Sequence, residues 1–333
     1  MRACSGRRSR VERLVNRLLV RLTRQLVKSG SNLERILTSG QFAVTGEAGP
    51  PKGASSEVMR KKGELLRATA DALNVTDNQT AVARLSSFAG CLLLKEIGIE
   101  PVLQMVVRDR NRLALQSDIL GAAALGIRNV LCLSGDHQSL GNHPSARGVY
   151  DIDSTNLVRL VRSMRDEHRF LNGEPISGDV PMFIGAAGHP FADPFELQLA
   201  RLANKVQAGA DFIQTQAVFD MPRFLQWMKR VRERGLDEMT HILAGVLPLK
   251  SARMAAHMRE NVPGVCMPDE LVRRMTSAVD PKAEGLAICL ETIEQLRSVG
   301  GVHGIHIMAV GWEEVVPRLV ERAGLVPRPG VVS

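Results

Sequence analysis

The sequence predicts a single-domain (β/α)₈ TIM barrel. Eight times along the chain a short apolar run ends in a polar or glycine-rich turn and is followed by a stretch with helical periodicity. Such alternation is typical of a parallel sheet with crossover helices, and eight units close a (β/α)₈ barrel. The predicted strands are 42–47, 71–77, 101–107, 129–136, 183–188, 212–216, 241–246 and 304–310.

The segments between these strands have the pattern of outer-shell helices, with apolar residues at three- and four-residue steps. A short capped helix that begins near Asn32 (SNLERIL) is expected to close the bottom of the barrel. The longest stretch without a strand, 137–182, combines a polar loop with a helix at about 154–170. A loop of that length on the catalytic face indicates a functional role. The other predicted helices are 55–70, 112–126, 195–209 and 282–299.

Composition supports one large globular domain at residues 31–333. The chain has 333 residues, 44% of them apolar and 23% charged, which is typical of a soluble protein. No apolar run approaches the roughly 20 residues that cross a bilayer. The five cysteines are scattered, odd in number and without CxxC spacing, so we predict neither a disulfide framework nor a cysteine metal site. This usage favours the reducing cytoplasm.

The net charge of +8 belongs to an N-terminal extension, residues 1–30. This segment holds nine basic residues and one acidic residue, and the remaining chain is neutral. Its apolar residues recur at helical spacing between arginines, which predicts a basic amphipathic helix and not a secretory signal. The helix could pack on the barrel or a partner, lie on an anionic surface, or be dispensable. With only 4% aromatic residues, no basic–aromatic stripe indicates nucleic-acid binding.

Polar residues follow several predicted strands, where the active sites of barrels lie. Glu47, Asp77, Asp136 and Gln216 are therefore expected to face one pocket. A desolvated carboxyl such as Glu47 can serve as a general acid near neutral pH. Glu47 could equally cap a helix or form a salt bridge, and Asp136 could be a helix N-cap.

Other side chains give weaker signals. Gln214 and Gln216 are predicted to share one strand face, and an amide suits the paired edge of a pterin or flavin ring. Lys205 could meet a phosphate, although a lone helical lysine is usually exposed to solvent. The histidines lack metal-ligand spacing, so no metal site is predicted, and His303 and His306 are interpreted as ordinary residues flanking the last strand.

Taken in order, these motifs resemble the methylenetetrahydrofolate reductase family of flavin-dependent (β/α)₈ barrels. The resemblance covers roughly residues 32–325. The family has an acidic residue followed by Pro-Pro after strand one, Gly-Asp after strand four, and a K-V-x-A-G-A helix end before a Thr-Gln strand. The matching residues are Glu47 with Pro50–Pro51, Gly135–Asp136, Lys205–Ala210, Thr215–Gln216, and Thr76 at a flavin contact.

The resemblance implies that 5,10-methylenetetrahydrofolate is reduced to 5-methyltetrahydrofolate. It implies Glu47 as the general acid, Asp136 near the flavin and the folate, and Gln216 on the pterin. The cofactor would be FAD, with FMN as the alternative and NAD(P)H as a candidate electron donor. The residues expected at the cofactor are Thr76, Gln104, Gly135, Asp136 and Lys205, the last at its phosphate.

The sequence departs from the family pattern where flavin or nicotinamide would stack. Aromatic residues are replaced by Ala48, Gly49 and Ala217, a histidine by Gln104 and an arginine by Ser134. Residues 109–138 resemble the short reductases of anaerobic and acetogen-type bacteria, some of which work beside a second subunit. A second subunit or redox partner and a homo- or hetero-oligomer are therefore expected. The alternatives are a folate- or corrinoid-linked barrel methyltransferase and a partner-dependent subunit of a reductase complex.

Overall fold

A computed structural model of the protein describes residues 27–262 and 264–329. Eight parallel strands form a closed barrel in which each strand pairs with its neighbours in sequence and β8 pairs with β1. This confirms the predicted fold. The strands are β1 Ala43–Glu47, β2 Ala72–Val75, β3 Pro101–Val106, β4 Asn129–Leu133, β5 Phe183–Gly188, β6 Phe212–Ala217, β7 His241–Val246 and β8 Val302–Ile307.

Helices surround the barrel and bury their apolar faces against it. They are α1 Asn32–Thr38, α2 Ser56–Leu66, α3 Ser87–Glu96, α4 Arg112–Ala124, α5 Ser154–Arg162, α6 Phe195–Ala208, α7 Met221–Glu233, α8 Ala252–Asn261, α9 Asp269–Ser277, α10 Pro281–Arg297 and α11 Val316–Arg322. Polar N-cap residues determine where several helices begin. One is Asn111, whose side chain accepts hydrogen bonds from two backbone N–H groups of α4. Within the described residues, no helix has the length and apolar character that a membrane span requires.

Two strand boundaries differ from the prediction in ways that matter for the site. β4 ends at Leu133, so the segment from Ser134 to Asp136 is loop and not strand. β8 begins at Val302 and ends at Ile307, which places His303 and His306 inside the strand. The predicted strand, 304–310, lies about two residues too late in the chain, because the apolar residues continue to Val310. Hydrophobicity alone does not show where the hydrogen-bonded pairing between strands stops.

Helix α1 closes the N-terminal end of the barrel, as its sequence predicted. Ser31 caps it by accepting a hydrogen bond from the Glu34 N–H at 3.0 Å. Its fully buried apolar residues pack against the first residues of the strands inside the barrel. A hydrophobic cluster therefore fills this end, and the opposite end is left for a ligand. The cluster includes Leu33, Ile36, Leu37, Ala43, Val102, Phe183 and Phe212.

Asp211, just before β6, is a buried acceptor on the N-terminal face of the barrel. Its side chain is 3% exposed and accepts from the Ile184 N–H at 2.8 Å and from Arg165 Nη1 at 2.6 Å. Lys28 also forms a salt bridge with it. Since the Arg165 side chain is only 6% exposed, Asp211 neutralises a charge that water cannot reach.

Residues 28–30 are attached to the barrel although they precede the predicted domain boundary. The Glu34 carboxylate accepts hydrogen bonds from the backbone N–H groups of Lys28, Ser29 and Gly30 at 2.6 to 2.8 Å. We refer to this arrangement as the Glu34 clamp. The predicted amphipathic helix falls mainly on residues 1–26, which lie outside the described residues.

Candidate active site

A cavity of about 250 Å³ opens at the C-terminal end of the barrel strands, where (β/α)₈ barrels carry their active sites. Residues at the C-terminal ends of β1 to β5 and in the loops that follow them line it, together with Lys205 from α6. The cavity brings together six of the seven predicted site residues, and Asp77 also borders it. Its lining residues include Glu47, Thr76, Asp77, Gln104, Arg108, Ser134, Gly135, Asp136, Ala187, His189 and Lys205.

Glu47 is the last residue of β1, and its side chain is 14% exposed. Its Oε1 atom lies 3.6 Å from Nε2 of the buried His306 on β8. The following turn is fixed by Lys62, which donates to the Gly49 carbonyl at 3.0 Å and to Glu313 at 2.6 Å. Glu47 therefore lies on a rigid strand end with one edge open to the cavity, as a group that exchanges protons with a ligand requires.

Asp136 is exposed in the loop after β4, and a glycine turn positions it. Gly135 has φ +83°, and a Cβ there would lie 3.0 Å from Val106 Cβ, so only glycine fits without strain. Arg108, 3% exposed, donates to the Asp136 carbonyl at 2.9 Å. The Asp136 carboxylate accepts from the Thr80 N–H at 2.8 Å.

The loop that supplies this N–H has strained backbone geometry. Asn78, Thr80 and Ala81 have φ values of 46°, 55° and 55°, in the left-handed region that non-glycine residues rarely adopt. Hydrogen bonds hold the loop on both sides, from Arg108 to the Asn78 carbonyl and from Ala83 to Asn142. Strain of this kind persists only where surrounding contacts over-determine it. We infer that this loop holds Asp136 and covers part of the cavity.

Three polar side chains in the cavity have unused hydrogen-bonding capacity. Thr76 Oγ1 is buried without a hydrogen-bond partner among the described residues. The Gln104 side chain, 8% exposed, likewise makes no hydrogen bond within the described parts of the chain. Within the part of the chain that the structure describes, Lys205 Nζ donates to the Ala187 carbonyl alone, at 2.8 Å, although an ammonium group has three donors. These groups can bind a polar ligand.

The charge state of the cavity follows from burial. Burial and the nearby Arg201 lower the pKa of Lys205, so a ligand with negative charge would stabilise its ammonium form. His189 faces the cavity, but desolvation, followed by repulsion from Lys205 and Arg201, lowers its pKa to about 4. His189 is therefore neutral at pH 7 and can offer both a donor and an acceptor.

Two predicted pocket residues have other roles. Asp77 borders the cavity, but its carboxylate accepts from the Val106 N–H at 3.0 Å and from Arg110 at 2.6 Å, so it anchors β3. Gln216 is not among the cavity-lining residues, and its Oε1 atom accepts from the Ala217 N–H at 3.1 Å. The pairing of β6 with β7 shifts register between Gln214 and Ala217. The two glutamines were predicted to share a face because side chains alternate between the two faces of a regular strand. The irregularity interrupts this alternation.

Sequence reasoning missed two residues of the site. No sequence pattern marks Arg108 as a site residue. Its contacts with the carbonyls of Asp136 and Asn78 join loops that come together only in the folded barrel. His306 was interpreted as an ordinary residue, but it is 3% exposed and contacts Thr45 and Glu47 inside the barrel. A histidine in an apolar strand pattern was the available signal, since such a buried polar group requires partners.

A larger groove, of about 820 Å³, lies outside the barrel beside α4. Its walls include Leu113, Leu120 and Phe170, with the Arg112–Asp151 ion pair at its edge. No strand-end carboxylate of the cavity reaches it. We therefore assign the chemistry to the smaller cavity.

The fold and the site define a (β/α)₈-barrel protein with an acidic pair and a polar ligand cavity at the catalytic face. The family model described as methylenetetrahydrofolate reductase matches residues 32–324. The chain belongs to this family, which confirms the resemblance read from Glu47, Asp136 and Lys205.

The similar proteins are distant. "Methylenetetrahydrofolate reductase 2" of Saccharomyces cerevisiae is 24% identical over 69% of this chain, which spans 38% of that protein. "5,10-methylenetetrahydrofolate reductase" of Escherichia coli is 26% identical, with 62% of this chain and 63% of that protein covered. This chain thus spans less than two thirds of these relatives.

Among solved structures, an uncharacterised Clostridium thermocellum protein, described as binding two copies of 5-methyl-5,6,7,8-tetrahydrofolic acid, has a TM-score of 0.62. It is 13% identical, and the match covers 88% of this chain and all of that one. This similarity shows a shared fold.

Proposed function

We propose that this chain is a cytoplasmic flavoprotein that reduces 5,10-methylenetetrahydrofolate to 5-methyltetrahydrofolate. The observation that carries the proposal is the cavity in which Glu47 and Asp136 face the unused polar groups of Thr76, Gln104 and Lys205. Family membership and the folate named for the structural neighbour support the substrate class. The reaction belongs to one-carbon metabolism and would supply methyl groups, including that of methionine.

The residues of the cavity fit a flavin at its polar edge. The unpartnered Thr76 hydroxyl and the Gln104 amide suit ring carbonyls and nitrogens, and Lys205 suits a phosphate. Among the lining residues there is no Phe, Tyr or Trp, so the ring faces would contact aliphatic side chains such as Val106 and Leu133. We propose FAD as the cofactor, with FMN as the alternative and NAD(P)H as the electron donor.

The cavity is smaller than the roughly 300–1,000 Å³ of most small-molecule sites. A flavin and a folate together therefore require the 78–81 loop to move outward. Since Thr80 donates its N–H to the Asp136 carboxylate, this movement would free Asp136 for the folate. The strained φ values of the loop favour such a change.

The chain's own residues would carry the proton chemistry and the electrostatics, and the bound flavin would supply the hydride. The imidazolidine ring of the folate opens when N10 takes a proton, which Glu47 would donate. The resulting 5-iminium cation would be stabilised by the carboxylate of Asp136, which Gly135 and Arg108 hold in place. Gln216 would contact the pterin, as the family resemblance implies.

An absorption spectrum of the purified protein, followed by anaerobic addition of 5-methyltetrahydrofolate, tests this function. Flavin absorption that bleaches on addition is the expected result, because the folate half-reaction is reversible. Bound folate without flavin absorption, even after reconstitution with FAD or FMN, would favour the methyltransferase alternative. A flavoprotein that responds only when a second protein is added would favour the partner-dependent subunit.

Lys205→Met is expected to weaken flavin binding about 10-fold or more, because one charge-assisted contact to phosphate is lost. The free energy of unfolding should not fall, since the buried ammonium is itself penalised by desolvation. Fluorescence titration of the apoprotein with FAD and FMN measures the change. Lys61→Met, on an exposed part of α2, is the matched control. Equal flavin dissociation constants for the two variants would show that Lys205 does not bind the phosphate.

A further inference from the structure

We propose that His306 is a positioning residue for Glu47 and that the two side chains form a dyad that shares one proton. The inference rests on the proposed role of Glu47 as the general acid and adds a residue to that role. His306 lies behind Glu47, away from the ligand, and would act through it.

Strand pairing places the two groups side by side. β1 and β8 are paired in parallel with Thr45 opposite His306. Thr45 and Glu47 are two residues apart on β1, so their side chains lie on the same face. The imidazole therefore bridges them, with Nδ1 at 2.9 Å from Thr45 Oγ1 and Nε2 at 3.6 Å from Glu47 Oε1.

A buried hydrogen-bond network surrounds His306 Nδ1. Thr45 Oγ1 lies 3.4 Å from the Ile305 carbonyl and 3.2 Å from Gln214 Nε2, from which it accepts. Gln214 is held by reciprocal hydrogen bonds with Asn74, at 2.7 and 3.1 Å. A hydroxyl has one donor and two acceptor positions. We assign the Thr45 hydroxyl proton to the Ile305 carbonyl, and in this assignment the remaining position of Thr45 accepts the His306 Nδ1–H.

With one proton fixed on Nδ1, the Nε2 atom of His306 is the position that exchanges a proton with Glu47. The proton can lie on Nε2, which gives an imidazolium–carboxylate pair, or on Oε1, which gives a neutral pair. Thr45 and Gln214 keep the same hydrogen bonds in both forms. The dyad can therefore move its proton by a small approach of the two groups, without rotation of the imidazole.

The proton balance of turnover follows from this arrangement. As the C–N10 bond of the folate breaks, its electron pair remains on N10, which takes the proton from Glu47 Oε1. In the imidazolium–carboxylate form, that proton first moves from His306 Nε2 to Oε1. After the transfer to N10 neither atom carries it, and the dyad regains it from water in the cavity, to which Glu47 is open. His306 itself is 3% exposed.

His306 gives the shared proton a second position beside Glu47, and replacing the imidazole removes that position. Other titratable or charged groups around the dyad are Asp77 with Arg110, Arg108 with Asp109, Asp136, His189, Lys205, and Lys62 with Glu313.

The pH dependence of the folate half-reaction in the flavin-loaded enzyme tests the dyad. His306→Asn should make the rate fall at a lower pH than in the wild-type enzyme, because Glu47 alone then holds the proton. Its rate at the acidic end should recover toward the wild-type rate. His257→Asn, on the exposed face of α8, should leave the profile unchanged. A rate loss that is equal at every pH would show a merely structural role and overturn the proposal.

A second measurement does not depend on folate reduction. The proton NMR titration of His306 in the apoprotein, assigned by its loss in His306→Asn, should change in Glu47→Gln, because the carboxylate that shares its proton is absent. An unchanged titration would overturn the dyad even if the enzyme reduces folate. A shifted titration in a protein without reductase activity would support the dyad while the proposed function fails.

Discussion

Glu47→Gln is expected to reduce the rate of folate reduction by about 10²- to 10⁴-fold, because the amide cannot donate the proton that N10 requires. The substitution preserves the size of the side chain. It also keeps a hydrogen-bonding group near His306 Nε2, so the β1–β8 contact should persist. Stopped-flow measurement of flavin oxidation by 5,10-methylenetetrahydrofolate gives the rate of this step.

In this variant, the rate at which the electron donor reduces the flavin distinguishes a catalytic role of Glu47 from a structural one. Flavin reduction should proceed at the wild-type rate in Glu47→Gln, because no proton to N10 is needed there. Glu57→Gln, on the exposed start of α2, is the control for a removed carboxylate and should retain both half-reactions. Loss of both half-reactions in Glu47→Gln would show that Glu47 supports the fold.

Asp211→Ala is expected to lower the free energy of unfolding by about 3–5 kcal/mol, since it removes the buried one of the two carboxylates that contact the buried Arg165. Arg165 Nη1 loses a contact of 2.6 Å, and the Ile184 N–H loses its acceptor. Urea denaturation followed by circular dichroism measures the change.

Asp166→Ala is the matched control, because Asp166 also contacts Arg165 but is 41% exposed. Its loss should cost less than about 1 kcal/mol. Similar small losses in the two variants would mean that Asp166 or water neutralises Arg165 when Asp211 is absent.

The barrel and the position of its site could be predicted because both depend on local patterns. Each strand is an apolar run with a turn behind it, and the C-terminal ends of parallel strands meet at one face. Glu47 and Asp136 follow such strands, so their presence in one cavity required no knowledge of side-chain contacts. Helix α1 was predictable because its cap and apolar face lie within seven residues.

Contacts between distant parts of the chain could not be predicted in the same way. His306 contacts Thr45 across 261 positions of sequence, and Thr80 contacts Asp136 across 56. Neither pair leaves a periodic signal in one segment. The register shift after Gln214 is also invisible in the sequence, because it depends on how β6 pairs with β7, which no single segment shows.

The Glu34 clamp determines where the N-terminal segment meets the barrel. Because it binds the backbone of Lys28, Ser29 and Gly30 beneath α1, the chain enters at the end opposite to the ligand cavity. The Glu34 clamp and the ligand cavity therefore lie at opposite poles of the barrel, and the backbone that the clamp holds does not cross the entrance to the cavity.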